Sequence, residues 1–97
     1  MAKSIRFVWG LDLGDRVTHV SVLDCKTGEV VSETKVATRE DALTELFARG
    51  PSSRVVMEAG THSPWVSRLA TRAGHETIVA HARSLRAIWS GRSAFRK

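Results

Sequence analysis

A chain of 97 residues, 42% hydrophobic and 26% charged, suffices for one small globular domain with a single core. No run approaches the roughly 20 apolar residues of a membrane span, and Arg6 and Asp12 interrupt the apolar N-terminal run that a secretory signal requires, so no membrane partner is expected. The single cysteine, Cys25, excludes an internal disulfide and points to a reducing, cytoplasmic location; it sits in a turn with no activating base near it in sequence, so no catalytic role is read from it.

The formal net charge of +5 is unevenly placed. Residues 1–80 hold ten Lys/Arg and ten Asp/Glu, whereas residues 81–97 carry Arg83, Arg86, Arg92, Arg96 and Lys97 and no acid. Such a basic segment on a neutral domain suits contact with a nucleic-acid phosphate backbone. Its bland alternative is a solvated helix and tail.

Residues 5–13 alternate as a strand. Ile5, Phe7, Trp9, Leu11 and Leu13 share one face; Arg6, Val8, Gly10 and Asp12 share the other. A strand apolar on nearly both faces belongs in the middle of a sheet. An acid buried there is costly without a partner, so Asp12 is read as pointing into a metal site at the sheet's centre, with Gly10 leaving space beside it. A Gly14-Asp15 turn leads to a second strand over 17–24, and Cys25-Lys26-Thr27-Gly28 to a third over 29–37. Glu33 and Lys35 suit an edge strand that must avoid foreign pairing.

The period then changes to helical. Thr38 reads as an N-cap with Asp41 three residues on, and Ala42, Leu43, Leu46 and Phe47 form one stripe. Gly50-Pro51 stops that helix. Arg54–Ala59 is a short buried strand that carries a second acid, Glu58. Ser63 is the expected N-cap of a second helix with Pro64 at its first position; Trp65, Val66, Leu69 and Ala70 are its apolar side, and Gly74 its end. A fifth strand is read over 75–80 and a third helix over 81–89.

Three antiparallel strands, then helix, strand, helix, strand, helix, give a mixed α/β sheet with helices on its faces. This is the order of the ribonuclease-H-like fold, here incomplete at the C-terminus. There the first and fourth strands are neighbours, which would set Asp12 beside Glu58. Two adjacent carboxylates repel unless a cation joins them, and hard oxygen ligands suit Mg²⁺ or Mn²⁺. Two acids are too few to hold a pair of ions of the kind used in phosphoryl transfer.

The remaining polar residues read as structural. His19, His62, His75 and His81 have no metal-binding spacing as a set; His62 is the exception to watch, beside the Glu58 turn. Asp15 and Asp24 end turns and suit turn chemistry. Trp9, Trp65 and Trp89 read as core rather than base-stacking platforms.

The run Gly10-Leu11-Asp12-Leu13, followed by Thr18-His19-Val20-Ser21-Val22-Leu23-Asp24, resembles the opening of bacterial insertion-sequence transposases of the DEDD type. Their N-terminal domain is Holliday-junction-resolvase-like. Val55-Val56-Met57-Glu58-Ala59-Gly60-Thr61-His62-Ser63-Pro64-Trp65 resembles their second acidic motif and is the most specific part of the likeness. Leu69-Ala70 and Ala73-Gly74-His75-Glu76 fit its continuation, so the likeness spans almost the whole chain. The resemblance implies that Asp12 and Glu58 are the first two metal-binding acids of a catalytic tetrad that acts on DNA. The last two acids, in a Lys-Thr-Asp-x-x-Asp type of motif, would lie beyond Lys97. On that reading residues 1–97 are one domain, the N-terminal fragment of a longer transposase, and nearly inactive alone. The family also uses a C-terminal domain that supplies a serine for strand exchange, and a structured guide RNA can direct target choice. This chain departs from the family at Gly14-Asp15-Arg16, where Lys often follows the first acid, and at Ala80-His81-Ala82, where Asn-Pro is common.

Three rival readings remain. A resolvase-like nuclease would use the same acid pair, and a non-catalytic nucleic-acid-binding or homo-oligomerising fragment would use the basic segment or an open sheet edge. An actin-like ATPase or sugar kinase also opens with Gly-x-Asp-x-Gly, met here by Gly10, Asp12 and Gly14. Asp15 would repel a phosphate at that turn, and 97 residues cannot supply two domains around a nucleotide.

Overall fold

The computed structural model describes residues 5–81. The third helix read over 81–89, apart from His81, and the candidate nucleic-acid-binding residues Arg83, Arg86, Arg92, Arg96 and Lys97 therefore lie outside the described residues.

Five strands form one mixed sheet: β1 (Phe7–Leu13), β2 (Val17–Asp24), β3 (Glu29–Ala37), β4 (Arg54–Glu58) and β5 (Glu76–Ala80). Helix α1 (Glu40–Phe47) connects β3 to β4, and α2 (Ser63–Arg72) connects β4 to β5. The strand order is β3-β2-β1-β4-β5. β1–β2 and β2–β3 pair antiparallel, while β1–β4 and β4–β5 pair parallel. This is a ribonuclease-H-like α/β fold, with the strand of dense apolar residues at the centre and the Glu33/Lys35 strand at an edge.

The two helices lie on one side of the sheet. Alternation sends Trp9 and Leu11 of β1, Val20 of β2, and Val55 and Met57 of β4 toward them. Leu43, Leu46 and Phe47 of α1 and Val66, Leu69 and Ala70 of α2 complete that core. Each Val, Leu, Phe or Met among them contributes about 1.5–3 kcal/mol on burial, so the helix stripes and the strand alternation are satisfied by one another. α1 carries Glu40 and Asp41 in its first turn, where acids favour the positive helix end. It ends before Gly50, whose φ of 72° lies in the left-handed region, and Pro51 prevents continuation.

Both capping expectations are corrected. The N-cap of α1 is Arg39, without a side-chain cap bond. The Thr38 hydroxyl is instead buried against that of Thr18, 2.8 Å away, where it ties the α1 entry to β2. The Asp41 carboxylate accepts from the next residue's N–H, that of Ala42, and from the Arg39 guanidinium. At α2 the N-cap is His62, and Ser63 is already helical. Its Oγ donates to the Gly60 carbonyl and accepts from the Gly60 N–H, which closes the turn after β4. In each case a nearby polar group outcompetes the helix N–H for the hydroxyl. The fifth strand begins at Glu76, one residue later than expected, because the His75 N–H donates to the Ala70 carbonyl of α2 and the ladder to β4 starts only at Glu76.

Among the described residues no helix is long and apolar enough to cross a membrane.

Candidate functional site

The site is built by strand register. β1 and β4 run parallel with Gly10 beside Val56 and Leu11 beside Met57; one residue further along the same register, Asp12 stands beside Glu58. Leu11 and Met57 are committed to the core, so alternation turns both acids to the opposite face, which carries no helix among the described residues. The antiparallel neighbours extend the row. His19 is opposite Asp12, Lys35 is opposite His19, and Ala80 is opposite Glu58. A line of polar groups thus crosses the sheet near the C-terminal ends of its central strands.

Asp12 and Glu58 both line a depression of about 590 Å³ with Gly10, His19, Ser21, Val30 and Val56. They also border a smaller hollow of about 230 Å³ over the strand ends, with Asp15, Gly60, Thr61 and His62. Asp12 is not a buried acid in mid-strand; it is exposed, at the next-to-last position of β1. The desolvation argument for a partner therefore falls away. What remains is adjacency: two exposed carboxylates side by side raise the local negative potential and favour a shared cation.

The donor chemistry suits Mg²⁺ or Mn²⁺, since both groups offer hard oxygens and the open depression leaves other coordination positions to water. Among the described residues no group of three or more His, Cys, Asp or Glu is placed to hold an ion.

Two histidines border the acid-lined surface, His62 beside the Glu58 turn as read from the sequence and His19 beside Asp12. His62 is held in a chain of contacts. The Trp65 Nε1–H donates to His62 Nδ1 at 3.2 Å, and His62 Nε2 lies 3.1 Å from Asp15 Oδ1. An indole N–H can only donate, so Nδ1 must accept and the neutral ring carries its proton on Nε2, facing Asp15. Asp15 therefore braces the rim of the acid-lined hollow rather than its own turn. Forty-seven residues separate it from His62, and no local pattern announces the contact. His19 faces the depression beside Asp12; counting residues through the Gly14-Asp15-Arg16 connection would have found it. His75 is structural, and Asp24 does perform turn chemistry, accepting from the Lys26 N–H. Trp9 is core; Trp65 is half-buried against it.

No protein-family model matches the chain, and no curated protein matches it. Solved structures with a similar arrangement include a Ppx/GppA family member of Aquifex aeolicus, with a TM-score of 0.46 and 14% identity. That alignment covers 81% of this chain and 36% of the other. A second is the type II crystal variant of the Aquifex aeolicus Ppx/GppA phosphatase, with a TM-score of 0.44 and 15% identity over 80% of this chain and 36% of that one. This chain thus spans about a third of the length of those proteins.

Proposed function

We propose that this chain is the N-terminal part of a divalent-metal-dependent enzyme acting on DNA phosphodiesters, a transposase or recombinase of the DEDD type. Asp12 and Glu58 are its first two ligands for Mg²⁺ or Mn²⁺. The observation that carries the reading is the parallel β1–β4 register, which sets two acids from distant motifs side by side on an open face. The motif resemblance around Asp12 and Glu58 supports it. When bound, the ion would polarise a phosphoryl oxygen and favour an attacking water or hydroxyl. The chain's own part is to fix two carboxylates on rigid strands and to leave the face above them open to a wide polymer.

Titration with Mn²⁺, read by electron paramagnetic resonance, tests the site. Asp12→Asn and Glu58→Gln should each weaken binding at least tenfold. Binding that is unchanged in both variants removes the metal site from consideration. A resolvase-like nuclease would share this outcome and would differ in cutting junctions without joining ends. The non-catalytic reading rests on Arg83, Arg86, Arg92, Arg96 and Lys97; it predicts salt-dependent DNA or RNA binding that is indifferent to Asp12 and Glu58. A guide RNA and a homo-oligomeric state belong to the same proposal.

A further inference from the structure

The helix-covered side of the molecule carries a second concave surface. A groove of about 440 Å³ lies between the start of α1 and one flank of α2. Arg39 and Glu40 line it from α1's entry, and Trp65, Arg68 and Arg72 line it from α2, with Leu69 among them. Leu69 is buried and Trp65 half-buried, whereas the three arginines are exposed. The groove therefore has an apolar floor and cationic walls.

How these arginines are spent is informative. Arg6, Arg39, Arg49 and Arg54 are each paired, with Asp24, Asp41, Glu45 and Glu76. Arg68 and Arg72 make no ion pair with a carboxylate among the described residues. They are four apart on α2, so both rise from one helix face, where like charges repel. Arg39 is offset by Asp41, so Arg68 and Arg72 stand against one further lining carboxylate, Glu40, and the groove is left net positive.

We infer that this groove binds the sugar–phosphate backbone of a nucleic acid, with Arg68 and Arg72 on successive phosphates. The guanidinium fork matches phosphate oxygens bidentately. Their spacing, roughly 5–6 Å between Cβ atoms, is comparable to that of phosphates along one strand. Trp65 and Leu69 offer an apolar floor to sugars or to a turned-out base. Trp65 also donates to His62, at the rim of the acid-lined hollow, so the Trp65 end of the groove lies one helical turn from that rim, with Arg68 and Arg72 further along α2. The inference needs no metal and stands apart from the reading of Asp12 and Glu58.

The test is fluorescence anisotropy of the full chain with labelled oligo-dT and with a labelled duplex across a salt series. Replacing Arg68→Gln together with Arg72→Gln should make the single-strand salt slope shallower by roughly 1.4, as expected for two lost phosphate contacts. That corresponds to a loss of affinity about sevenfold smaller between about 50 and 200 mM salt. The charge-keeping pair Arg68→Lys with Arg72→Lys should restore most of the slope, and Arg49→Gln, on the far end of α1, should leave it unchanged. An unchanged slope in the double Gln variant, an equal change in Arg49→Gln, or no oligonucleotide binding at low salt overturns the inference. So does a polyglutamate peptide that competes as well as the oligonucleotide, which would assign the groove to acidic polypeptides.

Discussion

Replacing His75 by Leu shows how much stability one buried imidazole carries. The residue is 5% exposed. Its Nδ1 accepts from the Ser53 N–H at 3.0 Å, and its Nε2–H donates to the Phe47 carbonyl at 2.7 Å. The ring also sits 5.0 Å from Trp9 and 5.8 Å from Phe47, centroid to centroid. It thereby ties the end of α1, the approach to β4 and the start of β5 together. Leu fills similar space but strands one backbone donor and one backbone acceptor away from water. Each stranded group costs about 1–3 kcal/mol, and a lost ring contact adds about 0.5–1.5 kcal/mol. The expected loss is about 3–6 kcal/mol against a typical total of about 5–15 kcal/mol. Urea unfolding followed by tryptophan fluorescence measures it: the midpoint should fall with the denaturant slope kept. His75→Gln, which retains a donor and an acceptor, should recover part of the loss. A Leu variant within about 1 kcal/mol of the parent would refute the reasoning, because both backbone groups would then have found other partners.

Gly14→Ala should also destabilise the domain, by about 1–3 kcal/mol. A Cβ there would sit 2.6 Å from the Val17 carbonyl oxygen, whose bond from the Gly14 N–H closes the β1–β2 connection; an unchanged thermal midpoint counts against it. The Arg6–Asp24 pair predicts a pH dependence. The Arg6 hydrogen bonds lower the Asp24 pKa from its ordinary 3.8, so its contribution is present above that value and is lost as pH falls through the lowered one. Unfolding midpoints of the parent and Asp24→Asn should therefore converge at acid pH. A gap that stays constant down to about pH 2 would assign the effect to packing instead.

What could be read from the chain by itself was periodicity. The bounds of β2 and β3, the stripes Leu43/Leu46/Phe47 and Val66/Leu69/Ala70, and the edge position of the Glu33/Lys35 strand all follow from residues within a few positions of one another. Hydrophobic spacing reports local geometry directly, and once the elements were ordered, few topologies remained. Asp12 and Glu58 could be singled out, but not their exposure, because burial depends on which sheet face the helices choose to cover. The cap assignments at Thr38 and Ser63 failed for a related reason. A hydroxyl takes whichever partner the fold delivers, and Thr18 and Gly60 were delivered. Only the tertiary structure joined Asp15 to His62 and lodged His75 between Ser53 and Phe47. It also left Arg68 and Arg72 together over an apolar floor. Contacts between residues far apart along the chain are set by strand register and helix docking, and those form only when the whole sheet closes on its core.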